Sequence, residues 1–243
     1  MTITPKWRET EMVFFDAGET LVHPEPSFPQ LFARVCASYG LEVDLSRLPK
    51  ATRCLMAGVE ERQKKGYTFT NDEFESRRFW LGFYSRLVRE LGGDEVDGTL
   101  PQALYHTFSD PANYALYHDV PETLNRLSEQ GCRLGIISNF EAWLQELLDL
   151  LDVSRHFEVV VISGREKYEK PHPEIYSTAL RRAGVPPQRA LHVGDSPLSD
   201  YQGPSETGMR AVLIDRWNRF PDFDGSRVRD LRELPGLLAR GDI

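Results

Sequence analysis

Apolar and polar positions follow two different rhythms along this chain, and the change of rhythm divides it. The first apolar run, Met12 to Phe15, is four continuous residues, which predicts a short strand buried on both faces. After Val22 the breaker cluster His23-Pro24-Glu25-Pro26 intervenes, and beyond it the pattern is helical to about Tyr114. Phe28, Leu31, Phe32 and Val35 recur at three- and four-residue spacing, and Tyr39-Gly40 closes that helix. A second helix is predicted over 48–64 and a fourth over 100–108. The third opens at Thr70-Asn71-Asp72-Glu73, where a capping residue precedes acidic first-turn residues, and stops at Gly92-Gly93. Its predicted apolar face is Phe74, Phe79, Phe83, Leu87 and Leu91. Nothing in this stretch reads as a strand.

From Val120 the rhythm becomes alternating. An amphipathic helix over 121–130 ends at Gly131, and strand 133–137 follows. Then come helix 144–151, a Val- and Ile-rich strand 157–162, helix 173–183 closed by Gly184, and strands 190–193 and 210–214. Strands separated by helices of this length imply parallel pairing by crossover, hence an α/β fold with a doubly wound, Rossmann-like parallel sheet. Ligands of such sheets bind beyond the carboxyl ends of the strands. Asp16, Ser138 and Asp195 each lie at such an end, so three strands converge on one crevice. The tail after Trp217 is rich in Asp and Arg; it is predicted to pack on the core edge, and no site is read in it.

Bulk properties narrow the field a little. A chain of 243 residues holds one α/β domain plus a smaller insertion. A net charge of −8 and a pI near 5.3 argue against a nucleic-acid or anionic-membrane surface, though a local basic pocket for phosphate is compatible with them. The apolar runs are strand-sized, so no membrane span is expected, and Met1 to Arg8 lacks a signal-peptide core. Cys36, Cys54 and Cys132 are odd in number and unclustered, which predicts reduced thiols in the cytoplasm rather than a disulfide frame or zinc site. Oligomeric state is not legible.

Four segments carry chemistry. Phe14-Phe15-Asp16-Ala17-Gly18-Glu19-Thr20-Leu21 resembles the first motif of the haloacid dehalogenase-like hydrolases, an apolar run followed by D-x-D-x-T. Leu134-Gly135-Ile136-Ile137-Ser138-Asn139 resembles the second, Lys170-Pro171 before a helix the third, and Gly194-Asp195 with Asp200 the fourth, G-D-x4-D. The resemblance spans nearly the whole chain and implies a core domain at 1–22 and 115–243 with a helical cap at 23–114. Such caps close during reaction and largely set specificity. The cap aromatics, among them Phe79, Trp80 and Phe83, read as cap core before substrate pocket.

The resemblance also implies roles. Asp16 is the nucleophile that forms an aspartyl-phosphate. Mg²⁺ is the implied cofactor, held by Asp16, Asp195 and the Gly18 carbonyl, with Asp200 as a water ligand or supporting partner. Lys170 neutralises Asp16 and the phosphate, Ser138 and the Asn139 backbone N–H bind phosphoryl oxygens at a helix start, and Thr20 orients the loop or Asp16. The implied substrate is a small phosphorylated metabolite.

The departure is Gly18. The family's phosphatases place a second aspartate there as general acid and base, and this chain has none. Acid–base catalysis contributes roughly 10²–10⁴ in rate, so the expected substrates are those that leave unaided, such as acyl or aryl phosphates. Glu19 is a candidate substitute, although the bland reading is a surface carboxylate. His172, beside Lys170, is a candidate lining residue, and His192 reads as a core histidine. Other chemistries of the family remain open: a phosphonatase using Lys50, Lys64 or Lys65 as a Schiff base, or a dehalogenase, although dehalogenases need no metal and do not keep G-D-x4-D. A phosphomutase depends on the missing carboxylate. A catalytically weak relative that binds a phosphate ligand or protein is the alternative from a different class.

Overall fold

The computed structural model describes residues 10–93, 98–241 and 243, so the signal-peptide reading of 1–8 lies outside it. The chain divides into two compact units: one takes the chain up to Val22 and again from Leu116, the other is His23–Ala115. In chain order the strands are β1 Met12–Phe15, β2 Val22–Pro24, β3 Tyr114–Leu116, β4 Arg133–Ser138, β5 Phe157–Ile162, β6 Ala190–Gly194, β7 Arg210–Ile214 and β8 Arg227–Val228.

Six of them make one parallel sheet in the order β5-β4-β1-β6-β7-β8. All four residues of β1 are fully buried, as its unbroken apolar run requires of a central parallel strand. At the edge, β5 exposes Glu158, which pairs with Arg133 of β4. From β1 the chain winds one way through β4 and β5, and the other way through β6 and β7. The direction reverses between β1 and β6, and that is where such sheets open a crevice. Asp16 follows the last residue of β1, and Asp195 follows the last of β6.

The crossover helices α5 Val120–Glu129, α6 Leu144–Leu150 and α7 Pro173–Ala183 are those the periodicity predicts, and a short α8 Gly203–Glu206 lies between β6 and β7, where none is expected (α1 to α4 belong to the other unit). Helix α7 shows why the prediction holds. Pro173 sits at its first position, Glu174 lies in its first turn and Arg181 and Arg182 in its last, and Gly184 ends it in the left-handed conformation at φ +66°. Its Ile175, Tyr176 and Ala179 join Phe14, Ile137 and Val161 in the core.

In the second unit, α1 Phe28–Ser38, α2 Leu48–Gln63, α3 Glu73–Glu90 and α4 Thr99–Phe108 are all helical. Asp72 caps α3 by accepting from the Glu75 N–H at 2.9 Å. Phe69, Phe79, Trp80, Phe83, Tyr84 and Phe108 stack on one another, so these rings build the unit's own core. Phe74 departs from its predicted place and is 72 % exposed. Nine residues separate it from Phe83, two and a half turns at 3.6 residues per turn, so the two rings point to opposite faces.

One further expectation fails: the stretch expected to lack strands contributes to a two-stranded ribbon of β2 and β3, too short to show any alternation in sequence. The tail after Trp217 packs on the core edge as expected, adding β8 beside β7 as the edge strand and a final helix, α9 Leu234–Arg240. No helix among the described residues is long and apolar enough to cross a membrane.

Candidate active site

The carboxyl ends of β1, β4 and β6 bring together four of the residues singled out from the sequence. Asp16, 7 % exposed, accepts at Oδ1 from Ser138 Oγ at 3.0 Å and from Lys170 Nζ at 2.8 Å. Its own N–H donates to the Val193 carbonyl, which ties the loop to β6. Lys170, 1 % exposed, also donates to Asp200 Oδ1 at 2.6 Å, so one ammonium lies between two buried carboxylates. Asn139 explains how the lysine is held. Its side chain accepts from the Lys170 N–H and donates to the Lys170 carbonyl, clasping the backbone from both directions. The following helix begins at Leu144 as expected, five residues past Asn139, so the Asn139 N–H lies in the preceding loop rather than at the helix start; that loop packs on Gly164, where an added Cβ would lie 2.7 Å from the Ala142 nitrogen.

Asp200 is the most heavily engaged carboxylate. Oδ1 accepts from Lys170 and from His192 Nε2 at 2.9 Å, and Oδ2 accepts from the Ser196 N–H at 2.9 Å. The glycine of G-D-x4-D follows from this packing: a Cβ on Gly194 would lie 2.3 Å from the Asp200 carboxyl carbon. His192 is buried as a core residue but is also part of the charged network, and its Nδ1 has no hydrogen-bond partner. With a carboxylate as acceptor, the proton is assigned to Nε2.

Burial and charge set the protonation of this group. Burial pushes the Asp16 carboxyl up, with Lys170 opposing it and the Asp200 charge adding to it. Burial disfavours the Lys170 charge, but the two carboxylates more than offset it, so its pKa lies above the usual lysine value. Burial acts on Asp200 too, yet Lys170 and His192 outweigh it and hold the carboxyl well below the usual range. Burial lowers His192, leaving it neutral. Asp195, less deeply set, is pushed by burial up to about 7, against the opposing charge of Arg219.

One oxygen each from Asp16, Asp195 and Asp200 lies within 4.8 Å of the others. The donor chemistry suits a hard divalent cation. Asp16 Oδ2, Asp195 Oδ1 and the Gly18 carbonyl take no hydrogen bond from any described residue; the loop closes through Ala17 O and Glu19 N instead. Asp200 has both oxygens committed, which suits the supporting role better than direct ligation.

The remaining expectations sort themselves by contact. Thr20 is fully buried, but its hydroxyl bonds neither Asp16 nor any other group; the loop is held by Arg216 donating to the Thr20 carbonyl at 2.7 Å. Glu19 has a left-handed backbone, φ +56°, and accepts from the Tyr117 hydroxyl at 2.8 Å. Gly18 needs no such freedom. An added Cβ would meet only the Phe140 ring, at an ordinary 3.8 Å. His172 is exposed, caps α7 through Nδ1 and stacks on Tyr168, and so does not join the cluster. Lys50, Lys64 and Lys65 are exposed, and a hydrogen bond and charge from Glu61 raise the Lys64 pKa; a Schiff-base lysine needs the reverse.

The tail supplies what the motifs missed. Arg219 Nη2 donates to Asp195 Oδ2 at 2.7 Å. Arg216 grips Asp119, fully buried, through two hydrogen bonds and lies 3.9 Å over the Tyr117 ring. A signal was present: Asp215, Arg216 and Arg219 directly follow the carboxyl end of β7, where the sheet rule places ligand contacts.

Several known proteins are similar to this chain. A family model described as haloacid dehalogenase-like hydrolase matches residues 10–206. The human haloacid dehalogenase-like hydrolase domain-containing protein 3 is 30 % identical over 212 residues, 85 % of this chain and 82 % of the relative. A glyceraldehyde 3-phosphate phosphatase from Methanopyrus kandleri is 34 % identical over 94 % of this chain and 98 % of its own. Among solved structures, a HAD-hydrolase from Bacillus subtilis, bound to magnesium, superposes with a TM-score of 0.76 at 19 % identity over 94 % of this chain and 98 % of that one.

Proposed function

The chain belongs to the haloacid dehalogenase-like hydrolases, and from that premise we propose that it is a Mg²⁺-dependent phosphatase of small phosphorylated metabolites, restricted to substrates whose leaving group departs with little proton assistance. The observation that carries this reading is the division of labour on Asp16: Oδ1 faces two donors, and Oδ2 has none.

Asp16 Oδ1 is the attacking atom. Its bond to phosphorus forms as the bond from phosphorus to the leaving oxygen breaks, and that oxygen keeps the electron pair. Water oxygen then bonds to phosphorus as the bond from phosphorus to Asp16 Oδ1 breaks, the carboxylate leaves with the electron pair, the proton of the attacking water passes to solvent, and inorganic phosphate departs. Lys170 offsets the repulsion between carboxylate and phosphoryl group in a site where charges are poorly screened. With substrate bound, Ser138 Oγ would turn its one proton from Asp16 Oδ1 to a phosphoryl oxygen, and the Asn139 N–H would donate to another. Asp200 and His192 hold the Lys170 ammonium on line. Asp16 Oδ2, Asp195 Oδ1 and the Gly18 carbonyl would hold a divalent cation, which when bound would supply further positive charge toward the phosphoryl oxygens.

What the first motif lacks is the carboxyl that would protonate the leaving oxygen. Gly18 has no carboxyl, and Glu19 is tied sideways to Tyr117. An acyl or aryl phosphate tolerates that loss better than an alkyl phosphate does.

The test is a panel of acyl, aryl and alkyl phosphates assayed with and without Mg²⁺, on wild type and Asp16→Asn. The expected result is Mg²⁺-dependent turnover of the first two classes, falling by at least ~10³ in Asp16→Asn. A folded wild-type protein that turns over no member but binds inorganic phosphate is instead a binding protein.

A further inference from the structure

Both ligand carboxylates of the proposed cation site have one oxygen occupied by a cationic side chain. For Asp16 that side chain is Lys170, which belongs to the motif pattern. For Asp195 it is Arg219, which does not. Arg219 Nη2 holds Asp195 Oδ2 at 2.7 Å and leaves Oδ1 without a protein donor. Ser138 and Lys170 together hold Asp16 Oδ1 and leave Oδ2. Asp200 accepts hydrogen bonds on both of its oxygens.

Arg219 is not a stray surface arginine. It sits on a turn built for it by Asp215, a fully buried residue at the end of β7. The Asp215 carboxylate accepts from the Arg219 N–H at 2.7 Å and from the Phe220 N–H at 3.0 Å, and Arg227 pairs with it from β8. Asn218 turns the chain at φ +53°, a left-handed conformation that Asn tolerates better than most residues. Arg216, three residues earlier, is anchored to Asp119 and Thr20. The guanidinium is thus delivered by a fixed backbone.

The consequence is a question of coordination. Mg²⁺ demands near-octahedral geometry and keeps several waters, so one oxygen from each carboxylate suits it. Ca²⁺ takes six to eight oxygens and gains from carboxylates that bind through both. We infer that Arg219 is a cation-selectivity residue: by holding Asp195 Oδ2 it keeps Asp195 a one-oxygen ligand and biases the site toward Mg²⁺ over Ca²⁺. This rests on the divalent-cation reading of the site. Arg219 acts through Asp195 and is a positioning residue.

The experiment measures binding without substrate, by calorimetric titration of Mg²⁺ and of Ca²⁺ into wild type, Arg219→Gln and Arg219→Lys. The wild type should prefer Mg²⁺. In Arg219→Gln the Ca²⁺-to-Mg²⁺ affinity ratio should rise by about tenfold, the lower end of what partners of metal ligands contribute. Arg219→Lys, which keeps a charged donor on the turn, should stay within about threefold of wild type. An Arg219→Gln protein that gains affinity for both ions equally shows only the loss of a repelling charge and overturns the inference. So does a lysine variant that shifts as far as the glutamine one. A folded wild type that binds neither ion removes the cation reading itself, and this inference with it.

Discussion

The two walls of the site are built on different principles. The inner wall of Asp16, Ser138, Lys170, His192 and Asp200 is 7 % exposed or less at every residue. Its charges neutralise one another over distances of 2.6 to 3.0 Å. The outer wall of Glu19, Tyr117, Asp195 and Arg219 is partly open, and its Arg219 side chain is 43 % exposed. A buried charge that loses its partner cannot recover its hydration, whereas an exposed one can. Under the proposed function, the inner wall would fix what chemistry is possible, and the outer wall would adjust which ion and which leaving group are handled.

Lys170→Met attacks that contrast most directly. It strands two carboxylates in the interior, and the expected loss is about 3–5 kcal/mol of unfolding free energy, measured by urea denaturation. Arg219→Met removes an ion pair of similar length from the outer wall and should cost less than about 1 kcal/mol. Equal losses would mean that the two walls do not differ in the way their burial implies.

A second prediction sharpens the outer wall's role. Gly18→Asp has room at Cβ and no left-handed backbone to strain. It should raise turnover of alkyl phosphates by roughly 10–10² while moving aryl phosphates much less, as restored proton transfer requires. An equal gain for both classes, or none, would show that another group already protonates the leaving oxygen.

The smallest effect concerns the tail that carries Arg219. Asp230 accepts from the Arg232 side chain and N–H, and these hold its carboxyl at about 2, below its ordinary 3.8. A depressed carboxyl contributes stability above its unfolded pKa, and that contribution is lost as pH falls from about 4 to 2. Asp230 is partly exposed, so screening reduces it to within about 1 kcal/mol. Asp230→Asn should be slightly less stable than wild type at pH 6 and converge with it near pH 2, by thermal melts across that range. A gap that stays constant with pH would assign the loss to the cap's geometry instead of its charge.

The inner wall was legible because its residues directly follow, or lie within, a continuous apolar run, or stand before a well-capped helix, while Asp200 was marked only by its place in G-D-x4-D. Asp16 follows Phe15, Ser138 follows Ile137, and Lys170 precedes α7. His192 was placed correctly in β6 but not in the network, since a buried strand position gives no hint of which side-chain nitrogen meets Asp200 eight residues on. Thr20 and His172 are adjacent to site residues in sequence, yet neighbouring side chains in a loop or at a cap need not share a direction. Phe74 lies two and a half turns from Phe83, which places it on the opposite, exposed face of α3 despite its aromatic character, and not among the rings of the core.

From the sequence alone came the parallel α/β sheet, the helical insertion, the four motif segments and the absent carboxyl at Gly18. These depend on local rules: apolar continuity, helix caps, and the order of segments along one chain. Only the tertiary structure decided that Arg219 closes on Asp195, that Tyr117 takes Glu19 aside, and that Asp200 accepts hydrogen bonds on both of its oxygens. Those contacts join residues 24 and 98 positions apart, or hang on the packing of one carboxyl beneath Gly194. Such pairings are set by where the strand ends converge and by which polar groups burial obliges to find partners, and no periodicity along the chain records either.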